Sequence, residues 1–158
     1  PLEKYIFVGT ILTILVALPA VDVSEILVTS PTIVCSILVL TGIILFIGEF
    51  IARRITEKKS TITLKDAILM GMVQGIAAFP GLSRSGTTIS VGLMCGLSRV
   101  KSARFSFLLS LPVILGASVC YPLMELNYSE MATYSWGPIL AGFVVARAVF
   151  WITTCLAL

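Results

Sequence analysis

From Pro31 to Ala52 the chain runs for the width of a bilayer with one ionisable residue, Glu49, near its far end. Hydrocarbon offers no water to satisfy backbone N–H and C=O groups, so a run of this kind must bond to itself as a helix of about 20 residues. Comparable apolar runs extend from Phe105 to Met124, from Trp136 to Leu158 and, less cleanly, from about Leu2 to Ala20. Charged residues make up only 12% of the 158 residues, against about 25% in soluble domains, too few to cover a globule with polar surface. The chain therefore reads as an integral, all-α membrane protein. This excludes a soluble enzyme, a disordered tail and a nucleic-acid module, despite a net charge of +3. The sequence has no histidine, so imidazole supplies neither a base nor a metal ligand within it. Cys35, Cys95, Cys120 and Cys155 are widely separated in apolar stretches and read as small hydrophobes, not as a metal site.

The spans are expected at about residues 2–20, 31–52, 105–124 and 136–158, in a single membrane domain. The first is expected to end at Pro19, with Asp22 and Glu25 in a loop beyond it. Between Asp66 and Leu97 the pattern changes. Ala67–Phe79 and Ile89–Leu97 are apolar but too short to cross, and they flank Pro80-Gly81-Leu82-Ser83-Arg84-Ser85-Gly86-Thr87-Thr88. Two short segments around a Gly/Pro/Ser break predict a re-entrant hairpin of half-helices over residues 66–97, a backbone tolerated at depth only where protein or water surrounds it.

Charge placement agrees. With the end of Pro31–Ala52 in the cytoplasm, Arg53, Arg54, Lys58, Lys59 and Lys65 lie inside, as the positive-inside rule requires. A hairpin that enters and returns keeps the loop Arg99–Arg104, with Lys101, inside as well. The segments around Glu25 and Glu130, which lack Lys and Arg, then face outside. A single crossing over residues 66–97 would reverse the second basic loop.

The central loop carries the chemistry. A helix N-terminus offers unpaired N–H groups and about half a positive charge, which suits an anion. Ser83, Ser85, Thr87 and Thr88 add hydroxyls, Gly81 and Gly86 allow close approach, and Arg84 provides a planar fork matched to phosphate oxygens. An arginine at membrane depth costs at least about 2.5–3.5 kcal/mol, which a bound phosphate would offset. The plain alternative is a helix-breaking hinge whose arginine snorkels or caps carbonyls. Gly81–Thr88 also approaches a nucleotide-binding P-loop, but it lacks the lysine and no strand precedes it.

The run Gly71-Met72-Val73-Gln74-Gly75-Ile76-Ala77-Ala78-Phe79-Pro80-Gly81-Leu82-Ser83-Arg84-Ser85-Gly86-Thr87 resembles the second signature of the undecaprenyl-pyrophosphate phosphatase, or bacitracin-resistance, family. Gly96-Leu97-Ser98-Arg99 and Ala103-Arg104-Phe105-Ser106-Phe107-Leu108-Leu109-Ser110-Leu111-Pro112 continue the resemblance, so that it covers Gly71 to about Ala117. It implies a polytopic helical bundle that is part of an inverted-repeat fold, each half opening with a re-entrant hairpin. It also implies a plasma (inner) membrane hydrolase that converts a polyprenyl diphosphate to the monophosphate plus phosphate, recycling a lipid carrier for envelope synthesis.

On this resemblance Arg84 and Ser83 are the catalytic candidates, and Gly81, Ser83, Arg84, Ser85, Gly86, Thr87 and Gln74 form the phosphate cradle. Gln74 and Ala78 stand where the other repeat carries glutamates. A divalent cation, Mg or Ca, is implied, but its ligands belong to the first repeat, which these residues do not include. The chain is thus expected to be a fragment with one half of the site, beginning at Pro1 with no signal-peptide pattern. The implied partners are the diphosphate lipid and membrane lipids, not nucleic acid; a homo-oligomer stays open, as do a polyprenyl-phosphate lipid transporter or flippase and a noncatalytic remnant.

Four other features have plainer readings. Glu49 and Arg53 are spaced for an i,i+4 pair. Phe105 and Phe107 are expected to pack rather than to line a prenyl groove. The sequon Asn127-Tyr128-Ser129 is weak on its own. Arg147, inside the last apolar run, faces either a substrate channel or polar groups of a neighbouring helix.

Overall fold

A computed structural model of the chain describes residues 2–56, 58–125 and 136–157. These form six helices: α1 (Leu2–Val28), α2 (Pro31–Arg54), α3 (Leu64–Ile76), α4 (Arg84–Met94), α5 (Arg99–Glu125) and α6 (Trp136–Ala157). No strand occurs among the described residues, only an isolated bridge between Lys59 and Leu97. Among the described residues three stretches are long and apolar enough to cross a membrane: Leu2–Ala20, Pro31–Arg54 and Arg99–Val119. α6 forms where the fourth span is expected, with an apolar stretch over Gly137–Thr153. The chain divides into two compact units, Pro1–Ser118 and Val119–Leu158; the first contains the hairpin.

Two boundaries differ from the sequence reading. α1 does not stop at Pro19 but continues as helix to Val28, so Asp22 and Glu25 lie in its last turns. A proline removes one amide donor, which membrane helices tolerate because neighbouring groups re-satisfy the freed carbonyl. Arg99–Arg104 is likewise not a loop but the opening of α5, with the Ser98 carbonyl accepting from the Ser102 amide at 2.9 Å. The segments around Asn127 and Glu130 lie outside the described residues.

The hairpin forms as α3, the turn 77–83 and α4. Thr63 starts α3 with a capping box in which its side chain accepts from the Asp66 amide and Asp66 accepts from the Thr63 amide at 2.9 Å. At the far end of α4, Gly96 adopts φ +86°. In that left-handed conformation its amide donates to Leu93 and the next amide donates to Gly92, closing the helix as a glycine C-cap does. The two ends of the hairpin then meet, since the Lys59 amide donates to the Gly96 carbonyl at 2.9 Å. Entry and exit lie side by side, as a re-entrant element requires.

Depth follows from length. α3 has 13 residues, about 20 Å of helix against a hydrocarbon core of about 30 Å. The hairpin tip is fixed at Gly81, whose carbonyl accepts from Thr41 Oγ1 at 3.0 Å. Thr41 precedes Arg54, the end of α2, by 13 residues, again about 20 Å. The two measures agree, so the tip lies about as far from the end of α2 as from the start of α3.

Each half-helix is packed against one span through small residues. A Cβ on Gly71 of α3 would approach the Gly9 carbonyl oxygen of α1 to 2.5 Å, and one on Gly75 would meet the Thr13 carbonyl at 2.8 Å. Thr13 Oγ1 donates to both the Gly9 and Gly71 carbonyls, at 2.8 and 2.9 Å. On the other side a Cβ on Gly48 of α2 would sit 2.7 Å from Ser90 Cβ of α4. Lipid gives apolar side chains no reason to leave it, so close backbone approach and interhelical hydrogen bonds supply the attraction. Near the base, Ala67, Met70, Leu97, Phe105 and Leu109 form a buried core. Phe105 packs as expected. Phe107 does not: it is 60% exposed.

Charges gather where the hairpin begins and ends. Glu49 accepts from Arg53 Nε at 2.9 Å, the expected pair, and also from Arg99 at the start of α5. Asp66, 1% exposed, pairs with Lys59 at 2.9 Å. Burial acts to raise the Asp66 pKa, but the Lys59 ammonium and the Thr63 amide and hydroxyl outweigh it and hold the carboxyl below its usual range. A depressed folded pKa stabilises the fold above the unfolded value, about 3.9, and that contribution is lost as pH falls through the folded value.

Asp66→Asn is therefore expected to lose about 1–3 kcal/mol near neutral pH, with the gap to wild type closing below about pH 4, measured by thermal unfolding in detergent. Packing is tested separately. Gly71→Ala should lower stability by about 1–3 kcal/mol through overpacking, whereas Gly42→Ala, which meets nothing within 4 Å, should be neutral or slightly stabilising. Equal effects from the two would contradict the close α1–α3 crossing.

Candidate functional site

The turn at the tip of the hairpin is built around Gly81. It has φ +88°, and a Cβ there would lie 2.7 Å from the Val34 carbonyl oxygen of α2. Conformation and contact both require glycine. Thr41 secures this turn from the middle of α2. Its hydroxyl donates to Gly81 O and lies 3.4 Å from the Ser83 amide, from which it accepts. Ser83 is the N-cap of α4: Ser83 Oγ accepts from the Gly86 amide at 3.2 Å, and its carbonyl accepts from the Thr87 amide at 2.8 Å.

A cleft of about 510 Å³ opens beside the tip, lined by Gln74 and Ala77 to Leu82 from the first arm and turn, by Arg84 and Ser85 from α4, and by Ser106, Phe107, Ser110 and Ile114 from α5. Of the expected cradle residues, Gly81, Arg84, Ser85 and Gln74 face it. Ser83, Gly86 and Thr87 do not line it. Ser83 is engaged in capping, Gly86 fits against Ser83 and Leu45, and the buried Thr87 hydroxyl donates to Ser83 O at 2.7 Å. The structure therefore gives Ser83 a positioning part, and Ser85 is the serine of the loop on the cleft wall.

Arg84 is exposed and its guanidinium makes no ion pair or hydrogen bond among the described residues. The Arg84 and Ser85 amides, in the first turn of α4, have no backbone acceptor either. Their donors and the Arg84 fork share one end of a helix, the arrangement that stabilises an oxyanion. α5 supplies two residues not singled out from sequence, Ser106 and Ser110. Ser106 Oγ shares a hydrogen bond with the fully buried Thr88 hydroxyl, tying α5 to α4 behind the cleft. Thr41 was also not anticipated; its only signal is a hydroxyl midway along an apolar span. Arg147 lies on α6, in the second compact unit.

The cleft lining contains no carboxylate, and no group of three His, Cys, Asp or Glu side chains gathers among the described residues. Hard divalent cations take carboxylate and carbonyl oxygens. The residues present around the cleft do not fit such an ion.

These features define an all-α membrane protein with a hairpin of two short helices, α3 and α4, and with an arginine and a helix N-terminus at the hairpin tip. The chain belongs to the family described as bacitracin resistance protein BacA, which it matches over residues 2–157. It is 34% identical over 146 residues to an undecaprenyl-diphosphatase of Nocardioides sp., covering 92% of this chain and 52% of that protein. It is 38% identical over 141 residues to the undecaprenyl-diphosphatase of Alteromonas mediterranea, covering 89% and 52%. With that of Acidiphilium cryptum the identity is 37% over 157 residues, covering 92% and 56%. The chain spans about half the length of the curated relatives it matches.

Thr41 provides a test that needs no ligand. Thr41→Val should raise hydrogen exchange at the Ser83 amide by roughly fivefold or more, the effect of losing a bond worth about 1 kcal/mol, and Thr41→Ser should restore protection. Unchanged exchange in Thr41→Val would remove Thr41 as the anchor of the tip.

Proposed function

We propose that this chain supplies one half of the active site of an undecaprenyl-diphosphatase of the plasma membrane, which hydrolyses a polyprenyl diphosphate to the monophosphate and phosphate. The observation that supports the reading is the cleft at the hairpin tip, lined by Arg84 and Ser85, where the Arg84 guanidinium and the Arg84 and Ser85 amides have no acceptor among the described residues. Family membership and the naming of its relatives as undecaprenyl-diphosphatases give the ligand class. In this role Arg84 holds the diphosphate through paired N–H···O bonds, and the α4 N-terminus and Ser85 stabilise charge on the phosphoryl oxygens. Gly81, Ser83 and Thr41 keep that end of α4 at membrane depth. The apolar faces around the cleft, including Phe107, meet the prenyl chain or surrounding lipid.

Hydrolysis also needs an activated nucleophile. The cleft offers hydroxyls from Ser85, Ser106 and Ser110 but no base beside them. The base and the carboxylates that would hold a divalent cation are proposed to come from the other half of the family fold. The chain by itself then binds the diphosphate lipid weakly and does not turn it over.

In protein joined to the first repeat of a family member, Arg84→Lys is expected to lower phosphate release at least about tenfold, because a point charge does not replace the guanidinium fork. Arg84→Ala should lower it further. Near-normal turnover by Arg84→Ala would end the assignment, as would robust phosphate release by the unaccompanied 158-residue chain.

A further inference from the structure

Gln74 sits at the junction of the cleft with the α1–α3 crossing, 1% exposed. Its amide nitrogen donates to the Leu109 carbonyl at 3.3 Å and lies 3.5 Å from Thr13 Oγ1. The Leu109 carbonyl can only accept, so the nitrogen must face it, and the orientation of the amide is fixed by that partner. Its other end, Oε1, is buried without a hydrogen-bond partner. Gln74 thus adds to the cleft lining a residue whose acceptor is buried and unpaired and whose amide nitrogen already has partners. That is an unexpected group for an anion site: a fully ionised oxyanion also only accepts, and the two would repel.

We infer that Gln74 Oε1 accepts a hydrogen bond from a protonated phosphate oxygen, making the cleft selective for oxyanions that carry a proton. The inference rests on the proposed phosphate-binding reading and deepens it. A P–OH group satisfies the buried acceptor while the remaining oxygens of the same phosphate take the Arg84 fork and the α4 amides. Sulfate, which carries no proton near neutral pH, leaves Oε1 unpaired and faces its lone pairs. A buried acceptor left unsatisfied weakens binding by about tenfold or more, and sites that use such groups discriminate sharply between near-isosteres. Among the described residues Arg84 is the sole charged one lining the cleft, and the nearby Thr13 on α1 and Ser106 and Ser110 on α5 are uncharged hydroxyls. A pH dependence of binding between about pH 5 and 8 therefore comes from the ligand, since a phosphate monoester loses its last proton near pH 6.

The test measures binding of inorganic phosphate, sulfate and a methyl phosphate monoester to the 158-residue chain in nanodiscs by calorimetry at pH 5 and pH 8. The wild-type chain should bind phosphate about tenfold or more tightly than sulfate at both pH values, because inorganic phosphate keeps a proton throughout. Methyl phosphate should bind like phosphate at pH 5 and lose about tenfold at pH 8. Gln74→Met should abolish the preference; should that variant fail to fold, the wild-type monoester titration still decides. Equal binding of phosphate and sulfate that depends on Arg84 would overturn the role of Gln74 while leaving the phosphate cleft intact. Monoester binding that strengthens at pH 8 would overturn it too. Anion binding indifferent to Arg84→Ala, or none at all, would overturn the cleft reading together with this inference.

Discussion

A peptide chain can turn around inside a bilayer only if the turn's own N–H and C=O groups find partners there. In this molecule that requirement falls on Thr41, a hydroxyl in an otherwise apolar span that donates to Gly81 O and accepts from the Ser83 amide. One side chain satisfies two backbone groups of opposite kind, which a hydroxyl can do and an aliphatic residue cannot. Leaving them unpaired in hydrocarbon would cost several kcal/mol each. The depth of the hairpin, the position of the α4 N-terminus and the placement of Arg84 all depend on this contact.

The same economy governs how the hairpin is held. Apolar surface in lipid has nothing to gain from burial, and many large hydrophobic side chains of α1, α2 and α5 remain exposed, as lipid-facing residues should. Attraction comes instead from backbones brought close at Gly9, Gly71 and Gly75 on one flank and Gly48 with Ser90 on the other, with Thr13 bonding across the first. At the base the problem is reversed. There Glu49 pairs with Arg53 of its own helix and with Arg99, joining α2 to α5, and Lys59 pairs with Asp66, holding the start of α3 to the segment before it. Tip and base are fixed by different chemistry because they face different surroundings.

Function inherits this division. At the base Glu49 and Asp66 are paired with Arg53, Arg99 and Lys59, whereas at the tip the Arg84 guanidinium and the Arg84 and Ser85 amides have no partner among the described residues. Donors left unspent in this way support the phosphate ligand proposed above, to which a guanidinium fork and a helix end are suited. Gln74 adds the opposite polarity to the same cleft, because Leu109 has already taken its nitrogen.

Much of this was readable from residue order alone. Long uncharged runs must be helices in lipid, so the spans, their approximate ends and the membrane class follow from backbone chemistry that no tertiary contact can change. The two half-length segments around Gly81–Gly86 and the repeated basic clusters likewise required an element that enters and returns. Helix ends were less legible: Pro19 and the Arg99–Arg104 cluster resemble breaks, but α1 continues through Pro19 to Val28 and α5 already begins at Arg99. Which hydroxyls face the ligand could not be read at all. Ser83, Ser85, Thr87 and Thr88 are equivalent as letters; only the three-dimensional turn commits Ser83 to the cap and Thr87 to the backbone, and leaves Ser85 on the wall. Thr41, Ser106 and Gln74 acquire their parts from partners 35 to 42 residues away or across a helix interface. Sequence determined that the chain is an all-α membrane protein with two short helices between its long apolar ones, because solvation of the backbone is local. Tertiary structure decided which polar atoms are spent and which remain for a ligand, because hydrogen bonding is settled only when distant elements meet.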